Sequence, residues 1–584
     1  MTATAAAMEL GAALGTEGAG AASGEPSHRL RCCDASACRN AGGIALRQAL
    51  LAARAAAGLG EHTLAIRAVG CLRLCGRGPL VAADGPGGHR LWGGVPPPLA
   101  DQLLAAALEA AEVDPLAPFL LDLNHPFFRL QKPVVLERCG LVDPESLDDA
   151  LAQGAYAQLR RCVRHLPPEA VRQEVRRSGL RGRGGAGYPT GLKWDTVALQ
   201  PPGPRQVVAN GDEGDPGAFM DRTVLESDPH RLLEGLAIAA WAVEALHGYV
   251  YVRAEYPLAI ARLRRALEQV EARGGFGPAL CGTAWPLRLE LRVGAGAYVC
   301  GEETALLQSI EGRRGTPRPR PPYPAQRGLG GVPTLINNVE TLAAIPAILR
   351  EGGDWYAGLG TGSPTCAGTK VFSLSGAVLH TGVVEVPLGT PLRTVVETMG
   401  GGVVGGSPVK AVQTGGPSGG CISARHLDTP LSYEAMAALG SILGSGGMVV
   451  LGPETSMPAL ARFFMGFCVQ ESCGKCLPCR AGTVQLAALL DRVVEGRAAA
   501  ADLERLEELA AMVKATSLCG LGQSAPNPLL STLRHFRSEY EAACAQAPQR
   551  TQAQTPPTSP PHHQSESPQD ETGGQEPPAA RREP

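Results

Sequence analysis

Between residues 28 and 112 the apolar positions change spacing twice. Helical runs at 45–57 and 97–113 alternate with short strand-like runs at 64–69 and 79–83, which predicts a compact α/β unit within 27–113. Residues 114–166 read as a connector ending in a helix. From 167 to 360 helices at 231–245 and 258–271 alternate with apolar strands at 207–210, 248–253 and 287–293, a larger α/β domain. Residues 361–452 are rich in Gly, Val and Thr, with short alternating strands between turn dipeptides, and predict a small β-rich module. Helical spacing returns over 453–545 as a bundle around clustered cysteines. The ends, 1–26 and 546–584, are small, polar or Pro/Gln/Ser-rich and predict disorder, because they bury too little apolar surface to offset chain entropy.

Composition narrows the function classes. A chain of 584 residues exceeds one core, and a net charge of −3 offers no basic field to nucleic acid. No apolar run approaches the roughly 18 residues of a membrane span, and no basic stretch precedes an apolar segment at the start, which argues against a secretory signal. A soluble, cytoplasmic protein is expected. In that compartment thiols stay reduced, so the 17 cysteines are better read as metal or cluster ligands than as a disulfide framework.

Two cysteine groups stand out. Cys473, Cys476 and Cys479 at two-residue gaps let one tight turn aim three sulfurs at a common centre, and Cys519 can close the set; four thiolates suit a [4Fe–4S] cluster. The alternative is a four-cysteine zinc site, which usually pairs two knuckles instead. Lys475 and Arg480 add positive charge beside these sulfurs. Nearer the start, Cys33, Cys38, Cys71 and Cys75 come from two loops able to converge at one end of a sheet and hold a [2Fe–2S] cluster, with Cys32 as neighbour or substitute. A thioredoxin-like redox disulfide competes, although neither pair has its two-residue spacing. The scattered remainder read as small buried hydrophobes.

Glycine-rich loops supply the second chemistry. Gly182, Gly184 and Gly187 satisfy G-x-G-x-x-G, but residues 168–177 before them look helical and not like a strand, so this is a weak dinucleotide fingerprint. A better physical reading is a backbone that approaches flat rings and a phosphate closely, with Arg183 and Lys193 as cations. The strand ending at Asn210 leads into an acidic loop with Asp212, Glu213, Asp215 and Asp221. Its carboxylates could accept hydrogen bonds from a flavin and a nicotinamide ribose, a metal loop being the alternative. Gly294 to Thr304 forms a glycine turn opening a helix, in which Glu302 and Glu303 either complement the helix dipole or face a cationic nicotinamide ring. Arg318, Arg320 and Tyr323 lie on a polyproline-like arm able to stack on adenine and pair with pyrophosphate, or serving as a rigid spacer. Asn337, Asn338 and Thr341 would cap a helix or hold ribityl and phosphate oxygens.

In order, the segments Gly-Leu-Arg-Gly-Arg-Gly-Gly-Ala-Gly, Asn-Gly-Asp-Glu-Gly-Asp-Pro-Gly, Gly-Ala-Gly-Ala-Tyr-Val-Cys-Gly-Glu-Glu-Thr, Ile-Asn-Asn-Val-Glu-Thr and Glu-Ser-Cys-Gly-Lys-Cys-Leu-Pro-Cys-Arg resemble the flavoprotein subunit of respiratory complex I and its diaphorase relatives over about residues 28–545. Within that group Leu-Arg-Cys-Cys-Asp-Ala-Ser-Ala-Cys and Ser-Leu-Cys-Gly-Leu-Gly-Gln-Ser-Ala-Pro-Asn-Pro look most like the diaphorase subunit of the bidirectional NAD-linked [NiFe] hydrogenase. The resemblance implies FMN held by Gly182, Arg183, Gly184, Lys193, Asn210, Asp212, Tyr298, Gly301, Asn337, Asn338 and Thr341. It implies NAD(H) near Gly185, Tyr188, Asp215, Glu302, Glu303, Arg320 and Tyr323. Asp215 stands where the family usually carries Glu, Tyr188 and Tyr323 where Phe is common, Arg320 where Lys is common, and Thr196 where an aromatic can occur. The implied fold joins a thioredoxin-like domain, an FMN-binding α/β domain, a β-grasp module and a helical iron–sulfur bundle. Implied partners are a small ferredoxin-like diaphorase subunit and the NiFe subunits. Hydride passes between the cofactors, so no side chain is assigned as catalytic. Alternatives are the flavoprotein subunit of an NAD-linked formate dehydrogenase or of complex I, and a non-catalytic relay subunit.

Overall fold

A computed structural model describes residues 26–108, 114–361, 363 and 365–545. The expected disordered ends fall outside the described residues, apart from Pro26.

The first unit is a four-stranded sheet of β1 (His28–Cys33), β2 (Leu64–Val69), β3 (Leu80–Gly85) and β4 (Gly88–Gly93), in the order β2-β1-β3-β4. β1 and β2 run parallel and the remaining neighbours antiparallel. Helices Gly43–Ala56 and Ala100–Ala107 pack on one face. The helix expected at 97–113 is shorter: Pro97–Leu99 forms a single turn ahead of Ala100–Ala107, and 109–113 lies outside the described residues. Side chains alternate across a strand, so the adjacent Cys32 and Cys33 part company. Cys32 joins the core beneath the two helices, and Cys33 faces the rest of the molecule.

The central sheet contains β5 (Gln206–Gly211), β6 (His247–Arg253), β7 (Arg288–Gly294) and β8 (Thr334–Asn338), all parallel, in the order β7-β6-β5-β8. Alternation again sorts its faces. Val207, Ala209, Val250, Val252 and Leu335 meet the helices Pro229–Ala242 and Val339–Glu351. Pro229–Ala242 is buried on nearly every side, its Arg231 paired with Glu137 and its Glu234 accepting from the N–H groups of Gln158 and Leu159. Val208, Tyr251 and Ile336 face the other way, onto Val299, Leu306, Leu521 and two of the late cysteines, Cys479 and Cys519. The chain leaves β5 in one direction to build β6 and β7 and returns on its other side as β8. This reversal between β5 and β8 is where open parallel sheets place ligands, beyond the strands' carboxyl ends.

The third sheet comprises β9 (Thr369–Gly376), β10 (Gly382–Pro387), β11 (Ala411–Thr414), β12 (Gly420–Ser423) and β13 (Gly447–Leu451), ordered β10-β9-β13-β11-β12. Only β13 and β9 pair parallel. Four helices, Met457–Glu471, Leu477–Val494, Ala500–Thr516 and Asn527–Ala545, close the chain around their own apolar core. Among the described residues no helix is long and apolar enough to cross a membrane.

Candidate functional site

Two adjoining cavities of about 560 and 620 Å³ open at the carboxyl ends of β5 and β8, sharing Gly184, Ala186, Asn210, Gly301, Glu302, Asn338 and Gly520. Each is of ligand-binding size. The first takes in Gly185, Asp212, Glu213, Asp215 and Tyr298; the second takes in Gly182, Gly187, Tyr188, Lys193, Glu303, Arg320, Tyr323 and Asn337, with Thr196 on its wall. All the expected binding residues line one or both, except Arg183 and Thr341.

The glycine loop is a hairpin, Gly182 N–H donating to the Tyr188 carbonyl at 2.8 Å, and the helix Thr190–Ala198 follows it. The element before it is the helix Pro168–Arg177, so no strand leads into the G-x-G-x-x-G run. Gly187 has φ +63°, and a Cβ there would sit 2.5 Å from the Tyr433 ring. Glycine is required on both counts.

Arg183 is buried with its guanidinium turned away from the cavities. It donates to the carbonyls of Thr369 (3.0 Å), Ala367 (2.9 Å) and Arg181 (3.1 Å) and to the Tyr356 hydroxyl (3.1 Å). Its backbone N–H donates to Thr341 Oγ1 at 2.8 Å. Neither side chain lines the cavities, where the sequence places both at the cofactor: Thr341 ties the loop to the helix Val339–Glu351, and Arg183 ties it to β9. The charge expected from Arg183 is absent from the cleft wall, leaving Lys193, which is paired with Glu303, and Arg320. The asparagines are largely engaged within the protein. Asn210 donates to the Gly301 carbonyl (3.0 Å) and accepts from Asp212 N–H (3.1 Å). Asn338 caps the helix Val339–Glu351 by accepting from Thr341 N–H and donates to Asp221 (2.5 Å), while Asn337 accepts from the Trp194 indole (2.9 Å). Glu302 caps Glu303–Ile310, one oxygen accepting from the backbone of Thr304 and Ala305 at 2.9 Å each, as the dipole reading expects; its other oxygen lies 3.9 Å from Arg320.

The acidic loop is buried, and burial raises all four carboxyls. Asp215 accepts from the hydroxyls of Tyr298 (2.8 Å) and Ser445 (2.7 Å), and Glu213 from the N–H groups of Asp221 (3.0 Å) and Arg222 (2.9 Å). Asp212 is pushed up to about 7, chiefly by burial and against the pull of Arg253.

One wall was not legible in the sequence. Ser418, Tyr433, Ile442, Gly444 and Ser445 come from the third sheet's loops, and Gln523 and Ser524 from the helix Gly520–Ser524. Tyr433 donates to the Gly182 carbonyl at 2.9 Å, and Gly185 bridges to Gly444. Their motifs are only Gly and Ser turns, which gave no signal.

The late cysteines surround a third, small cavity lined by Cys473, Cys476, Cys479 and Cys519 together with Val299 and Leu521, two residues that also line the 560 Å³ cavity. Burial pushes Cys519 up to about 11 and raises Cys479, whose sulfur lies 3.3 Å from the Ser472 hydroxyl. Lys475 donates to the Pro317 carbonyl at 2.5 Å. In the first unit, the neighbouring Cys38 and Cys71 thiols hold Cys33 below the usual thiol range, and the Cys71 and Cys75 sulfurs are 3.9 Å apart. Cys32 stands on the other face of β1, away from these sulfurs, pushed up to about 12 by burial. Among the described residues no group of three or more His, Cys, Asp or Glu forms a site for a metal ion; what the late quartet shares is the cavity. Seven of the remaining cysteines are buried, as expected, and Cys544 is half-buried.

Residues 175–347 match the Nuo51 FMN-binding domain, and 459–543 match the NADH-ubiquinone oxidoreductase-F iron–sulfur binding region. The NADP-reducing hydrogenase subunit HndC of Solidesulfovibrio fructosivorans is 50% identical over 412 residues, 70% of this chain and 83% of that protein. The chain belongs to this family of flavoprotein subunits. An F-type NADH-quinone oxidoreductase subunit of Rhizobium meliloti is a second relative, 42% identical over 70% of this chain and 97% of its own length. An NAD+-reducing [NiFe]-hydrogenase in the H2-reduced state has a similar structure, with TM-score 0.64 and 33% identity over 89% of this chain and 84% of that one. Members are oxidoreductases, and this one carries the family's FMN-binding domain and its iron–sulfur region. The residues present fit both groups: glycine edges admit a flat ring, a buried Asp212 oxygen on the cavity has no hydrogen-bond partner, and four sulfurs ring one small cavity.

Proposed function

We propose that this chain is the NADH-oxidising and NAD+-reducing diaphorase subunit of a cytoplasmic, NAD-linked hydrogenase. It exchanges hydride between NAD(H) and FMN and passes single electrons through iron–sulfur clusters to or from a hydrogenase module. The observation that carries this reading is the shared wall: Val299 and Leu521 separate the 560 Å³ cavity from the cysteine-lined one.

When bound, FMN takes up two electrons as hydride and releases them singly. The chain's own residues position and exclude. Gly182, Gly184, Gly185 and Gly187 let backbone approach the ring, while Asn210, Asp212 and Tyr298 present polar groups to it. Tyr188 and Tyr323, 54% and 53% exposed, stand in the outer cavity as stacking surfaces for a dinucleotide, with Arg320 to pair with pyrophosphate. Glu302 and Glu303 place negative charge beside the nicotinamide. Cys473, Cys476, Cys479 and Cys519 hold the [4Fe–4S] cluster, and Cys33, Cys38, Cys71 and Cys75 a [2Fe–2S] cluster on a branch or entry path.

The domains follow: 27–113 thioredoxin-like, supported by the β2-β1-β3-β4 order; 114–166 connector; 167–360 binding FMN and NAD; 361–452 a β-grasp module, supported by its single parallel pair; and 453–545 the cluster bundle. Partners are a small ferredoxin-like subunit and the NiFe subunits. The 42% identity to a quinone oxidoreductase subunit keeps a complex I role, or a formate dehydrogenase diaphorase, as the second reading. An NADH-dependent dye-reduction assay on the purified chain, with flavin and iron quantified, tests the proposal. Colourless, inactive protein contradicts it.

A further inference from the structure

Of the four carboxyls in the acidic loop, three are saturated. Asp215 has a hydroxyl on each oxygen, Glu213 a backbone N–H on each, and Asp221 accepts from Asn338 on one oxygen and Glu340 N–H on the other. Asp212 differs. Its side chain is 1% exposed, it lines the 560 Å³ cavity, and its Oδ2 has no hydrogen-bond partner. Its Oδ1 lies 3.7 Å from Arg253 Nη1, itself buried without a hydrogen-bond partner. A buried carboxyl with a free oxygen on a ligand cavity is costly unless the ligand meets it.

We propose that Asp212 is the proton-exchanging residue of the cleft, giving a proton to a bound flavin as hydride arrives and taking one back as the electrons leave. This rests on the reading that FMN occupies the cavity. The balance closes: hydride from NADH supplies two electrons and one hydrogen, and the neutral reduced flavin needs one further proton. The Asp212 O–H bond breaks as a flavin N–H forms. When the two electrons pass singly to the iron–sulfur group, two flavin N–H bonds break: the proton that Asp212 gave returns to its carboxylate, and the hydride-derived proton leaves to solvent.

The neighbours set when this occurs. Burial holds Asp212 up near 7; Arg253 at the end of β6 opposes it, and Glu255 beyond β6, Glu471 of the helix Met457–Glu471 and Asp215 push it higher. Tyr251 and Cys300 face it as neutral groups raised by burial. The acid form is the donor, so flavin reduction slows as pH rises through neutrality, and reoxidation accelerates.

The test is stopped-flow reduction of the FMN-loaded chain by saturating NADH across about pH 5.5 to 9, paired with spectroelectrochemical flavin potentials over the same range. The expected rate falls about tenfold per pH unit above a break near neutrality, and Asp212→Asn flattens it to within about twofold. Glu255→Gln removes a charge that favours the acid form and moves both breaks to lower pH; Arg253→Gln moves them higher. Should Asp212→Asn lose FMN, the Glu255→Gln shift decides. A break retained in flavin-loaded Asp212→Asn, or unmoved in Glu255→Gln, overturns this inference alone. Failure of the wild-type chain to bind FMN overturns the functional reading with it.

Discussion

Cys476 separates two steps that the site keeps side by side. Cys476→Ala is expected to leave NADH-dependent bleaching of the flavin within about twofold of wild type while onward reduction of an iron–sulfur-dependent acceptor falls by at least about 100-fold, measured in one stopped-flow trace. Loss of bleaching would merge the two roles. Arg183 tests the opposite assignment, a cation that clamps and does not bind. Arg183→Met leaves three carbonyls and two tyrosine hydroxyls without this donor, and should lower the unfolding free energy of flavin-free protein by about 2–4 kcal/mol in urea titrations. A variant with unchanged flavin-free stability and only weaker FMN binding would restore the cofactor role. Residue types in the cleft were readable because glycine loops and clustered thiols carry their chemistry in local spacing. The direction of Arg183 was not readable, since it depends on Thr369 of β9, 186 positions further along.

At the scale of elements, Lys370 on β9 is fully buried against Glu340 at the start of Val339–Glu351, joining the third sheet to the central one. Lys370→Met should cost about 3–5 kcal/mol by leaving Glu340 uncompensated, and Lys370→Met with Glu340→Leu should recover most of it, both read from denaturation midpoints. Equal loss in single and double variants would mean that the bonds to Ser445 and Val371, and not the ion pair, carry this stability. Elements with strong spacing were legible to the residue, as in Leu64–Val69 and Pro168–Arg177. β1 and β4 were not, because short strands with Cys, Arg and His lack a clean alternation. The third sheet's loops entered the cleft through pairings that no local pattern encodes.

For the whole molecule, the first unit is docked by its cysteine loops: Cys71 N–H donates to Ser227 at 2.8 Å, and Gly76 N–H to the Thr381 carbonyl at 2.8 Å. Cys33→Ser with Cys71→Ser is expected to lower iron from about six to about four atoms per flavin, with NADH-dependent bleaching retained; unchanged iron would leave the first quartet without a cluster. The most direct measurement of the central claim is rapid freeze-quench of the purified chain mixed anaerobically with NADH, following flavin absorbance and the paramagnetic signal of a reduced iron–sulfur cluster in the same samples. The flavin is expected to bleach and the cluster signal to rise within the same turnover, whereas in Cys476→Ala the flavin still bleaches and the signal of the cluster held by the late cysteines is lost. Bleaching of the wild-type flavin with no cluster signal would contradict the shared wall between the two cavities as an electron path.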